Sequence, residues 1–317
     1  MRRIKAFGSL FLNFWFEFVQ FTNYSNAFKI DTQEKIQGKI SFYYHAIEKG
    51  LINNPLRYKF GVEKLQRLLK YLKLWEERGY SSTHSQFRSP FGVIRAYIDL
   101  HEKNGISLDD VFSAADFAFI SKYESREGGV HHFTSENYFT NAEAPFDSFS
   151  NSRHSVRHFT NGIVPRETIR HVVSLARNAP SVCNRQGFRV RQVIGKEKID
   201  AALAIQAGLN ATASTVHNLF IITVDRSAFV ASSEWYQTFI DGGIFLQNVL
   251  YALHFHKLGA VPLNWSKHYF EDKKMQKLLG LNPAEKIICL IAFGYLIPEF
   301  KVPYSSRRNV DEILKEI

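Results

Sequence analysis

Leu65, Leu68, Leu69, Leu72 and Trp75 return at helical spacing over residues 62–78, and Gly79 follows as a stop. That period governs the first 127 residues and then disappears. Asp31, with Glu34 three positions on, predicts a capping-box start for a helix running to Lys49 and ended by Gly50. Pro90 suits the first turn of a helix reaching about Lys103, and Ser107 with Asp110 opens another, closed by Gly128-Gly129. Residues 1–127 are therefore expected to form an all-α domain of four or five helices. Residues 128–150 are rich in Gly, Ser, Thr, Asn and Phe, lack a period, and are expected to be a linker. Beyond them helices and strands interleave. A helix begins at Pro165, 188–194 alternates as a strand, and 219–224 is a continuous apolar strand. A long apolar helix over 239–258 stops at Gly259, and 286–293 is another buried strand. That alternation predicts an α+β or α/β sandwich over 151–317.

With 45% hydrophobic and 22% charged residues in 317, the chain is globular, with ample length for a core. Cys183 and Cys289 are too few for a disulfide framework or a metal cluster, so a reducing compartment, the cytoplasm, is expected. Cys183 reads as a small packed residue and not as a nucleophile. His217, His254 and His256 make no metal set, and none is assigned. His45 and Glu48, one helical turn apart, read as a contact within their helix. The net charge of +10 is uneven: residues 1–150 hold 19 Lys+Arg against 17 Asp+Glu, and residues 151–317 hold 21 against 13. The excess lies without basic runs or an aromatic RNA-binding signature, which argues against nucleic acid and for anionic cofactors. Residues 1–21 open on Arg2, Arg3 and Lys5 and are rich in Phe and Leu. Asn13, Glu17 and Gln20 interrupt them, so they are neither a signal peptide nor a span. They are expected either to pack on the domain or to lie on a membrane surface as an amphipathic helix.

The basic half carries three separated stations. Arg153, Ser155 and Arg157 come first, then Pro180-Ser181, Asn184 and Gln186, and finally Ser306-Arg307-Arg308. Guanidinium groups suit a phosphate, short hydroxyls suit a ribityl chain, and amides suit the polar edge of a flavin ring. Arg153 and Arg157 share a face if their segment is helical. Ser181 and Asn184 could also cap a helix after Pro180.

With Asp241-Gly242-Gly243, Gln247-Asn248 and Ala292-Phe293-Gly294-Tyr295, these stations resemble the nitroreductase family of FMN-dependent oxidoreductases over residues 150–317. The stretch 45–51 resembles longer nitroreductase-like proteins encoded among surface-polysaccharide genes. The resemblance implies an α+β FMN-binding sandwich preceded by the all-α domain, and a homodimer with two FMN sites at its interface. It implies that Arg153, Arg157 and Arg307 hold the phosphate and that Ser155 contacts the ribityl chain. It brings Ser181 and Asn184 from the partner subunit, with Gln186 nearby, and runs Pro262, Leu263 and Asn264 beside the ring. The implied activity is reduction of the flavin by NADH or NADPH, followed by reduction of a small organic acceptor (nitro, quinone or enone-like) in ping-pong order. It requires no catalytic side chain, because the flavin carries the chemistry. Two departures stand out. Gly187 precedes Phe188 where the family usually has a proline, and Asn264 stands where some members have an acid. A non-redox accessory protein of surface-polysaccharide synthesis is the alternative.

Overall fold

The computed structural model describes every residue except Met1, Glu124 and Asn210. The helices are α1 (Arg2–Tyr24), α2 (Gln33–Leu51), α3 (Val62–Glu77), α4 (Ser85–Lys103), α5 (Ala114–Ser121), α6 (Phe146–Ser152), α7 (Arg166–Ala176), α8 (Lys196–Gln206), α9 (Gln237–Phe255), α10 (Tyr269–Leu279) and α11 (Val310–Ile313). The strands are β1 (Val130–Thr134), β2 (Phe188–Val193), β3 (Asn218–Asp225), β4 (Gly259–Asn264), β5 (Glu285–Gly294) and β6 (Glu299–Pro303). The chain is a mixed α+β protein with a helical region, α1 to α5, ahead of a sheet-and-helix domain. It divides into two compact units, residues 16–132 with 301–317, and residues 1–15 with 133–300.

In the helical unit, α2, α3 and α4 bury one stripe each. Ile36, Ile40 and Ile47 meet Leu65, Leu68, Leu72 and Trp75, and Phe87, Phe91, Ile94 and Tyr97 complete the core. Each such side chain contributes about 1.5–3 kcal/mol on burial. The caps differ from expectation. Thr32, not Asp31, caps α2, accepting the Lys35 N–H at 3.3 Å. Asp31 instead pairs with Lys35 and Lys29, whose ammonium groups hold its carboxyl down at about 2. The reciprocal box belongs to Ser113 and Asp116, six residues beyond the expected Ser107 and Asp110. Gly50 lies inside α2, whose cap is Ile52. Pro90 lies inside α4, which starts five residues earlier behind His84. The tail 301–317 is part of this unit. Glu312 accepts the Ser85 N–H at 2.8 Å and its hydroxyl at 2.6 Å, placing a carboxylate at the α4 N-terminus where the helix dipole favours it. Ser305 donates its N–H to the fully buried Glu48 at 3.1 Å.

In the second unit the sheet order is β2-β3-β5-β4, antiparallel throughout. Phe220, Ile222 and Val224 of β3 face a core shared with α7 and α9. Leu219 and Ile221 on the other side are equally buried, so the central strand is covered on both faces. Antiparallel pairing throughout makes this an α+β and not an α/β arrangement. Phe188 stacks flat on Phe245 of α9, with ring centroids 4.1 Å apart. The stop of α9 is Lys257, with φ +55°, where the Leu258 N–H closes back on Leu253. Gly259, expected as the stop, begins β4. The 128–150 stretch is not featureless: it contains β1, paired with β6, a short turn of 3-10 helix at Asn137–Phe139, and most of α6. Its local period is hidden because these elements are only a few residues long.

Candidate functional site

The first station is extended, not helical. Arg153 follows α6 with φ −77° and ψ 118°, and Ser155 bridges in parallel to Ala260 of β4. The Val156 N–H donates to the Ala260 carbonyl at 3.1 Å. Val156 and His158 are buried, while Arg153, His154, Ser155 and Arg157 are half-buried. An extended backbone has a two-residue period, so Arg153, Ser155 and Arg157 fall in the same phase. Arg157 also donates from Nη1 to the Ser155 carbonyl at 3.2 Å.

Two buried groups that sequence reading passed over fix this segment. Tyr138 donates its hydroxyl to the His154 carbonyl at 2.7 Å and accepts the His154 N–H at 2.9 Å, and burial pushes its phenol up to about 12. His254 contacts the Ser152 hydroxyl through Nε2 at 2.8 Å. Ser152 donates its hydroxyl hydrogen to the Phe149 carbonyl, so His254 donates from Nε2 and leaves Nδ1 without a proton. Burial first, then the charges of Arg153 and His154, push its pKa down to about 4. Tyr138 carried no sequence signal, and His254 was visible only as an unassigned histidine on an apolar helix.

The second station is a tight loop between α7 and β2. Cys183, Asn184 and Gln186 all have φ near +50°, a region that costs a non-glycine residue on the order of 1–3 kcal/mol. The surroundings hold the loop in place. The buried carboxylate of Asp241 on α9 accepts the Val182 N–H at 3.3 Å and the Gln237 amide at 2.7 Å. Ser181 accepts the Gln186 N–H at 3.0 Å, so it closes the loop and caps no α-helix. Gln186 donates to the Asn184 side-chain oxygen at 3.1 Å. Arg185 forms a two-pronged pair with Glu234, whose carboxyl is held down at about 2 by that guanidinium and two backbone N–H groups. Pro180, Asn184 and Gln186 are exposed, and so is Cys183, which is therefore not a packed residue. Gly187 is needed for close approach: a Cβ there would lie 3.0 Å from that of Ala228.

Pro262, Leu263 and Asn264 lie on β4, an edge strand that tolerates proline. Leu263 is buried and Asn264 exposed. The buried Gln206 donates to the Asn264 carbonyl at 3.0 Å and Cys289 donates to that of Leu263 at 3.2 Å. Burial pushes the Cys289 thiol up to about 12. Arg307 lies in the tail that belongs to the helical unit, exposed, donating to the Ser305 carbonyl at 2.5 Å.

The sheet register separates the stations. Arg153, Ser155 and Arg157 flank β4 at the Ala260–Phe293–Asn218 end, beside Pro262, Leu263 and Asn264. Ser181, Asn184 and Gln186 lead into β2 on the opposite edge, at the Phe188–Val224–Lys286 end. Three strand spacings, about 14 Å, and about 20 Å along the strands lie between these corners. One chain thus brings the first station to the β4 residues but not to the second. Among the described residues no group of His, Cys, Asp and Glu could hold a metal, and no helix is long and apolar enough to cross a membrane.

Residues 151–295 match the model of the nitroreductase family. Among solved structures the chain is similar to a protein described as an NADH oxidase from Clostridium acetobutylicum, at 24% identity over 53% of this chain and 99% of that one, with a TM-score of 0.46. It is similar to a protein described as a nitroreductase, in complex with FMN, from Desulfovibrio desulfuricans (25% identity, 55% and 98% covered, TM-score 0.45). The FMN-dependent nitroreductase from Clostridium difficile R20291 is 19% identical, with 52% and 92% covered and a TM-score of 0.42. No curated protein matches. The match covers residues 151–295, and helices α1 to α5 lie outside it. The family is one of flavin oxidoreductases.

Proposed function

We propose that this protein is an FMN-dependent oxidoreductase that takes electrons from NADH or NADPH and works as a homodimer with FMN at the interface. The observation that carries the reading is the extended station at 153–157, which brings two half-buried arginines and a half-buried serine together beside β4. Those donors fit a phosphate and the start of a ribityl chain. A positive-φ loop held by a buried carboxylate suits a wall of fixed polar groups. Its diagonal separation from the first station supports a site completed by a second copy, each contributing the corner that the other lacks. FMN bound there would supply the redox chemistry, hydride acceptance from the nicotinamide and electron donation to a small organic acceptor in ping-pong order.

The chain's own residues bind and orient. Arg153 and Arg157 neutralise the phosphate, and Ser155 holds the ribityl chain. Ser181, Asn184 and Gln186 present hydroxyl and amide groups from the partner copy, beside the exposed Pro180. Pro262, Leu263 and Asn264 border the ring. No side chain need supply a proton, since solvent reaches an acceptor in an open pocket. Location in the cytoplasm fits the free thiols.

An absorbance spectrum of the purified, FMN-reconstituted protein tests the reading. Flavin bands near about 370 and 450 nm that bleach on anaerobic addition of NADH or NADPH are expected. Protein that stays colourless after reconstitution overturns it in favour of a non-redox accessory role.

A further inference from the structure

Helix α1 carries a strict seam that the flavin reading does not use. Ile4, Phe7, Phe11, Phe14, Phe18 and Phe21 are spaced 3-4-3-4-3, the repeat of a coiled-coil interface. All six are at least half exposed, from 50% at Phe14 to 77% at Ile4, and Phe14 also touches Trp235 at 4.7 Å. At about 200 Å² for a large side chain, the seam exposes roughly 800 Å² per copy, which is one partner's share of a standard protein interface. Trp15 lies beside it, 58% exposed.

We infer that α1 pairs antiparallel with α1 of a second copy of this chain through this seam. Antiparallel pairing about the helix midpoint sets Ile4 against Phe21, Phe7 against Phe18 and Phe11 against Phe14. Each contact then occurs twice, as a two-fold interface requires. Charge selects the direction. The basic start, Arg3 and Lys5, meets the C-terminal end of the partner helix, where the dipole is negative; parallel pairing would stack both basic starts together. A lipid surface fits less well. The opposite flank carries Lys5, Ser9, Asn13, Phe16, Glu17 and Gln20, and after Lys5 the helix has no further lysine or arginine to hold it on anionic lipid.

Full-length chains carrying Phe11→Cys or Phe14→Cys, each with Cys183→Ser to remove the exposed native thiol, are mixed and oxidised with diamide. The mixed 11–14 disulfide is expected to form at least about tenfold faster than a disulfide between Ser9→Cys chains, whose thiol lies on the far flank. Equal rates overturn the pairing, and faster 11–11 and 14–14 disulfides overturn its direction. Co-sedimentation of the unmodified chain with phosphatidylglycerol vesicles, lost on Phe11→Glu/Phe18→Glu and without a fast mixed disulfide, assigns the seam to lipid and also overturns it. The flavin content of each variant reads the two proposals apart: a missing disulfide with FMN retained sinks only the seam.

Discussion

Arg153 shows how a residue's role depends on the backbone beneath it. On a helix, Arg153 and Arg157 would share a face with Ser155 turned away; an extended backbone, with its two-residue period, gives all three the same phase. Arg153→Ala is expected to weaken FMN binding about 10- to 100-fold, the loss of one charge-assisted contact of about 1.5–3 kcal/mol, with the fold intact. Fluorescence titration with FMN checks this, and unchanged affinity would remove Arg153 from the phosphate site. The residue types at this station were legible because guanidinium and hydroxyl chemistry is a property of the side chain. Tyr138, His254, Asp241 and Gln206 were not, because the partners that tie them to the stations lie 16 to 102 positions away and no local pattern announces them.

Among the elements, long helices and buried strands were readable because their apolar period repeats over many turns or along a whole strand. α3 and β3 fall within a residue of where the pattern sets them. Ends were less legible, since Thr32, Ser113 and Lys257 compete with nearby residues that would serve equally well. Glycine substitutions separate local propensity from packing. Gly8 in α1 has nothing within 4 Å of an added Cβ, whereas a Cβ at Gly92 in α4 would come within 2.3 Å of the Glu127 carbonyl. Gly8→Ala is therefore expected to be neutral or to stabilise by up to about 1 kcal/mol. Gly92→Ala is expected to destabilise by about 1–3 kcal/mol despite its better propensity. Denaturant melts of both variants decide, and equal midpoints would mean that the α4 contact relaxes freely.

For the whole molecule, buried His254 ties stability to pH. Its pKa falls from an ordinary 6.5 to about 4 in the folded state, so the fold favours the neutral ring. The unfolded chain binds more protons between those values. The contribution is full above 6.5 and is lost as pH falls towards 4, by about 3 kcal/mol. His254→Gln is expected to flatten the fall in stability between pH 7 and 4.5, and denaturant melts at both pH values would show it. An unchanged difference would place the titration elsewhere. From the sequence alone came the order of a helical region and an α+β domain, together with the residue types at each station. Periodicity and spacing are local, and a linear chain displays them directly. The tertiary structure alone decided that residues 301–317 join the helical unit, and that the stations stand at opposite corners of one sheet. Both depend on strand order and on contacts between residues far apart in the chain, where burial and register outweigh local preference.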